Sequence, residues 1–374
     1  MLTARWCGRL GGQDGVVSGA GLWPLLALLA SAADEPAGAE LAAALGRPAA
    51  VAGRDALELL EILRSGASTT AALGLWAREG VPLRQEWASR LPAGVVETLT
   101  DQGALDRWAA SQTDGLIDRF PLDIDKGSVL VLASALAARV RWKTPFESSP
   151  RVTGDTWSSD DMGPPDRQWL SRTTSDLRAA TVLDGTVTRV VVEGDGDVDV
   201  HLLMGGRQPA AVLGAGLRAL SGQARVRRAA VAGGGGPGLT VRRVQSVDLH
   251  NRLNLSLPSF EVTARHDLLE HPELFGLGLV TDRLTSHLPG LSPVPLYVAK
   301  GAQEVVARFF AEGFEAAAVT ALGGRLTGIP PELPYTVTVV DAFFQPPFGF
   351  LAVHRPTRLA VVAGWVASAP WRSD

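Results

Sequence analysis

Phe344-Gln345-Pro346-Pro347-Phe348-Gly349-Phe350-Leu351, followed by His354-Arg355-Pro356-Thr357 and Gly364-Trp365-Val366, is the stretch on which the fold turns. Around it the tail alternates apolar runs with proline and charged breaks. The pattern predicts strands over Tyr335 to Val340, Phe348 to Val353 and Leu359 to Val366.

Upstream, Val129 to Leu136 is a continuous apolar run, as expected of a strand buried on both faces. Further strands are predicted over Thr188 to Val192, Val198 to Met204, Leu239 to Val244, Leu253 to Leu257 and Phe260 to Ala264. The first third reads differently. Helices are predicted from Ala4 to Leu10, from Trp23-Pro24 through Ala33, from Asp34 to Leu45 with Gly46 as its stop, and from Asp55 to Arg64. Ala72 to Trp76 reads as a short strand, and Gln85 to Leu91, Ala104 to Gln112 and Asp267 to Leu274 as helices. Helices first and strands later, without regular βαβ alternation, predict an α+β fold with mixed and antiparallel sheets.

Several function classes recede on composition. The chain has 374 residues, 46% hydrophobic and 20% charged, enough to bury a sizeable core without disulfide or metal staples. A net charge of −4 gives no reason to expect a nucleic-acid partner. The densest basic run, Arg225 to Arg228, reads as a solvated strand end. Cys7 is the only cysteine, so neither an internal disulfide nor a cysteine zinc site is expected, and no His-Glu-x-x-His spacing appears. Gly233 to Gly238 lacks the Lys-Ser/Thr ending of a phosphate loop, and Ser18 lacks the Gly-x-Ser-x-Gly setting of a hydrolase nucleophile. Asp160-Asp161 reads as a solvated loop. Leu22 to Ala33 is too short to span a membrane, and Met1 to Gly12 does not read as a signal peptide. The expectation is a soluble protein that is no enzyme and takes no cofactor, metal, membrane or nucleic acid.

The tail resembles the C-terminal signature of the serpins. In that family these residues form a buried strand pair, entered by a proline-phenylalanine pair, with a glycine in the second strand. Three upstream blocks resemble the family in the same order. Gln112 to Ile117 is similar to its Thr-x-Gly-x-Ile helix end. Val129 to Phe146, ending Trp142-Lys143-Thr144-Pro145-Phe146, resembles its central strand and following turn. Leu257 to Phe260, Asp267-Leu268 and Leu277 to Asp282 resemble the approach to its inhibitory loop. The chain is identified as a divergent, bacterial-looking member. The resemblance implies a single serpin-like domain over 1–374, helix-rich over 1–127 and sheet-rich over 128–374, with the reactive loop at about 311–334. It also implies a monomer, and extracellular placement as in many relatives, although cytoplasmic placement fits the missing signal.

What the resemblance implies for function lies in that loop. Glu312-Gly313-Phe314-Glu315-Ala316-Ala317-Ala318-Val319-Thr320 is similar to the serpin hinge. The loop is offered to a serine or cysteine protease as bait. Once it is cut, its first part slides between existing strands as a new central strand and carries the acyl-linked protease with it. Each entering side chain must pass through a packed sheet, which favours alanine and disfavours bulk. Period-2 alternation would turn Phe314, Ala316, Ala318, Thr320 and Leu322 inward. Family spacing from Gly313 places the scissile bond at Thr327-Gly328. Arg325-Leu326 is the rival, and would point to a trypsin-like target. By propensity alone, Glu312 to Leu322 followed by Gly323-Gly324 also reads as an alanine-rich helix with a glycine stop.

The chain departs from the family pattern at several points. The usual Phe-Ser-Pro-x-Ser start of the second helix is Val17 to Trp23 here. In the sheet-opening region, Ser134 replaces an asparagine and Gln303 a histidine, beside the Trp142 turn. Ser134 and Gln303 retain the chemistry to bond each other. Ala311 stands for a glutamate and Phe314 for a serine or threonine, and the segment after Glu332 is longer by roughly Thr336 to Phe343. A phenylalanine entering the sheet first would slow insertion. A non-inhibitory binding or carrier protein of the same fold therefore stands as the alternative.

Overall fold

Leu130–Ala138, the run with no polar face, is buried at all nine positions in the computed structural model. The structure describes residues 1–113, 115, 117–125, 127–149, 168–230, 235–314 and 334–368. Contacts divide the chain into two compact units. The first takes Met1–Trp6, Val16–Ala138 and Thr263–Val306; the second takes Cys7–Gly15, Arg139–Val262 and Ala307–Asp374.

In the first unit, helix Gly19–Ala30 packs against helices Glu35–Leu45 and Ala49–Ser65 and against strand Leu130–Ala138. Its start lies earlier than the sequence suggests. Ser18 caps it by accepting from Gly21 N at 3.0 Å, so Pro24 falls inside the helix and not at its opening. Glu35–Leu45 matches its prediction: the Asp34 side chain caps it and Gly46 ends it in the left-handed conformation. The five-stranded sheet runs Phe260–Asp267, Lys300–Phe309, Leu130–Ala138, Thr69–Arg78, Val96–Leu99. Leu130–Ala138 pairs antiparallel with Thr69–Arg78 and parallel with residues 300–304. Helix Gln102–Gln112 lays Leu105 on this sheet, where Phe120, Trp76, Val131, Ala133 and Ala302 close one buried cluster. The helix predicted over Asp267 to Leu274 is instead a 3-10 turn, Leu268–Glu270, and a separate short helix, Pro272–Phe275. His271 between them is not helical, and Pro272 takes the first helical position.

The second unit holds six strands of one sheet in the order Leu359–Val366, Phe348–His354, Val198–Met204, Val187–Val192, Ala180–Leu183, Val226–Arg228. The tail strands pair antiparallel, with Phe350 opposite Gly364 and a register shift at Ala352/Val353. Phe344, Phe348, Phe350 and Trp365 are all fully buried. Burying aromatic side chains of this size contributes on the order of 2–3 kcal/mol each, so the tail is a large part of the core. Val226–Arg228 is exposed throughout, as the basic run requires. A second sheet runs Leu239–Ser246, Tyr335–Phe343, Arg252–Pro258, Trp169–Thr174, Glu147–Ser149. The stretch Thr336 to Phe343 is thus an interior strand. It pairs antiparallel with Leu239–Ser246 and parallel with Arg252–Pro258.

Candidate functional site

Two features precede the candidate loop in the chain, one in each unit. In the first unit, Gln303 and Ser134 are register partners on adjacent parallel strands. Gln303 Nε2 donates to Ser134 Oγ at 3.0 Å and to Ser18 O at 3.0 Å, and Gln303 Oε1 accepts from Ser18 N at 3.1 Å. All three residues are buried. A buried amide needs such partners, because an unmade bond costs the full desolvation of the polar group. The bond anticipated between Ser134 and Gln303 is present. Ser18 completes the cluster and was not anticipated there; the available signal was a serine immediately before a long apolar helix, the usual place for an N-cap.

In the second unit, the chain leaving Phe309 turns sharply. Phe310 N donates to Gly313 O at 2.8 Å, and Gly313–Phe314 pairs antiparallel with Val140–Arg141. Trp142 holds this turn. Its Nε1 donates to Phe310 O at 2.9 Å, its backbone N to Glu312 O at 3.0 Å, and its ring lies 4.6 Å from that of Phe309. Gly313 is not among the glycines with a left-handed backbone. It is needed for space: a Cβ there would fall 2.3 Å from Val140 O. The helical alternative for this stretch therefore does not hold at Gly313 and Phe314, whose backbones form a strand pair.

The remaining hinge residues, Glu315, Ala316, Ala317, Ala318, Val319 and Thr320, lie outside the described residues, as do both candidate bonds, Thr327-Gly328 and Arg325-Leu326. The chain is described again from residue 334 and enters the second sheet at Tyr335. Among the described residues there is no group of three or more His, Cys, Asp or Glu side chains placed to hold a metal, and no helix long and apolar enough to cross a membrane. The Cys7 thiol is buried and its pKa is pushed up to about 12 by desolvation, which leaves it unreactive.

Thyroxine-binding globulin in complex with thyroxine superposes with a TM-score of 0.72 over 99% of this chain and 97% of its own, at 14% identity. A serpin from the trematode Schistosoma haematobium superposes at 0.69 over 99% and 98%, at 16% identity. This chain has the serpin fold. The thermophilic serpin tengpin in its native state matches at 0.67, covering 98% of this chain and 91% of its own, at 16% identity. No family sequence profile matches the chain, and no curated protein sequence does.

Proposed function

We propose that the chain is an inhibitor of serine or cysteine proteases that acts by inserting its cut loop between Leu130–Ala138 and Lys300–Phe309. The observation that carries this reading is the antiparallel pairing of Gly313–Phe314 with Val140–Arg141. Leu130–Ala138 and residues 300–304 run parallel, so a strand entering between them would run antiparallel to both. The first two hinge residues already run antiparallel to the segment that follows Leu130–Ala138 in the chain. Insertion would add ladder hydrogen bonds and bury apolar surface, so the uncut chain is a kinetic trap. The serine or cysteine chemistry belongs to the target, and this chain supplies a substrate bond at Thr327-Gly328, with Arg325-Leu326 as the alternative. Incubation with a panel of trypsin-, chymotrypsin- and elastase-like proteases tests the reading by formation of a detergent-stable complex.

Phe314 favours a second reading, a non-inhibitory binding or carrier protein. A phenylalanine at the entry point slows insertion, and slow insertion turns an inhibitor into a substrate. In that case the loop is cut, no complex survives detergent, and the melting temperature does not rise after cutting.

A further inference from the structure

One face of the second sheet carries a cleft of about 580 Å³, lined among others by Arg242, Val339, Arg252, Asp341, Asn254 and Ser256. Its lining belongs entirely to the second unit. Register sets the arrangement. Val339 lies opposite Arg242 on one neighbouring strand and opposite Arg252 on the other. Cross-strand partners share a face, so the two arginines flank one valine with their Cα atoms about 10 Å apart. Side chains of that length can converge over the valine. Their bonding differs. Arg242 Nε donates to Asp341 Oδ2 at 3.0 Å, and Asn254 Nδ2 donates to Asp341 Oδ1 at 2.7 Å, so that carboxylate is already satisfied. Arg252 Nε is buried and has no acceptor among the described residues. A buried guanidinium donor without an acceptor is costly, and an anionic oxygen is the partner that suits it best. Further along the same strand, about 13 Å from Arg252, Ser256 lies opposite Ser171. Neither serine hydroxyl has a partner among the described residues.

We infer that this cleft binds a small phosphorylated polyol, with the phosphate between Arg252 and Arg242 and the hydroxyls on Ser171 and Ser256. A guanidinium takes two oxygens of an oxyanion at once, and a phosphate monoester has three terminal oxygens to share between two arginines. The charge balance agrees: three arginines line the cleft against two carboxylates. Of those carboxylates, Asp341 is held by Arg242 and Asn254, and Glu147 stands exposed on the edge strand Glu147–Ser149, so neither competes for Arg252. The volume is that of a small-molecule site and exceeds what an inorganic anion fills. Serine hydroxyls both donate and accept, which matches the hydroxyls of a polyol. The inference stands apart from the inhibitor reading, because none of the residues it uses belongs to the loop.

Isothermal titration calorimetry of the intact chain with glycerol 3-phosphate, glucose 6-phosphate, inorganic phosphate and glucose tests this. At least one phosphate ester should bind with a Kd of about 0.1–1 mM, inorganic phosphate more weakly, and glucose not measurably. Arg252→Met should weaken the ester roughly tenfold. Ser256→Ala should weaken the ester and leave inorganic phosphate unchanged. Arg228→Met, on the exposed strand Val226–Arg228, is the charge control and should bind as wild type does. Urea unfolding without ligand separates lost binding from lost fold. Arg252→Met removes an unpaired buried donor, so its midpoint should not fall. A lower midpoint would show that Arg252 already has an acceptor and would overturn the inference. So would the absence of binding by both esters, inorganic phosphate binding as tightly as the better ester, or equal weakening by Arg228→Met and Arg252→Met.

Discussion

Gln303 Nε2 donates to Ser134 Oγ at 3.0 Å, and the two residues sit opposite each other on parallel strands of the first sheet. Where the family resemblance implies an asparagine and a histidine, this chain has Ser134 and Gln303, with Ser18 as the third member. The cluster ties the cap of helix Gly19–Ala30 to the two strands between which insertion is proposed.

Gln303→Met keeps the volume and removes every bond. Ser18 N–H loses this acceptor and Ser134 Oγ this donor, so the variant should lose about 2–3 kcal/mol of stability. Ser134→Ala should cost about 1 kcal/mol, and the double variant less than the sum, because both remove the same bond. Urea unfolding of the four proteins measures the cycle. Strict additivity would show that the bond contributes nothing.

Trp142 should matter mainly through its ring. Trp142→Phe removes the bond to Phe310 O and should cost about 1–2 kcal/mol. Trp142→Ala also removes the contacts with Phe309 and Phe146, and should cost about 3–5 kcal/mol. Equal losses in the two variants, read from urea midpoints, would contradict this division.

Glu304 predicts a pH dependence. Its side chain is 5% exposed; Oε1 meets Arg265 Nε at 3.1 Å, while Oε2 finds no partner among the described residues. Desolvation raises its pKa; Arg265 opposes the shift and Asp118 adds to it. The folded state thus holds this proton more tightly than the unfolded chain does. The associated stability is fully present below the unfolded carboxyl value, about 4.3, and is lost as pH rises through the folded one. Glu304→Gln should therefore raise the urea midpoint at pH 8, with the gain shrinking towards pH 4. The lost pair with a largely exposed arginine offsets little. A variant that is less stable at pH 8 than at pH 4, relative to wild type, would refute the assignment.

Phe314→Ser tests the hinge. A smaller entering side chain should speed insertion and lower the number of inhibitor molecules consumed per protease trapped, by severalfold. Stopped-time gels that separate complex from cut chain give the ratio directly. An unchanged ratio would show that entry of residue 314 does not limit trapping.

Much of this was legible in the sequence, for physical reasons that differ between elements. Leu130–Ala138 and the tail strands announce themselves because strands buried on both faces carry no polar alternation. Helix Pro209–Leu220 escaped notice. Gly214 and Gly216 dilute its pattern, yet Gly216 is there for packing, since a Cβ would fall 2.5 Å from Leu203 Cδ1. Strands Trp169–Thr174 and Ala180–Leu183 escaped too; the first ends in polar residues and the second has only four. The start of helix Gly19–Ala30 was misplaced because Pro24 is a stronger local mark than the Ser18 cap. At the candidate site the Gln303–Ser134 bond was readable through the family resemblance, which brings the two positions together, and from side chains able to bond each other. Ser18 was not, because its role depends on a contact 285 positions away in the chain.

The proposal stands or falls on trapping. Incubated with an excess of the intact chain, a serine protease that cuts between Arg325 and Gly328 should appear on a denaturing gel as a complex with the mass of both chains, less the segment released beyond the cut. The inserted chain should then melt well above the uncut one. A loop cut to completion with the protease left free and active, and no rise in melting temperature, would contradict the account.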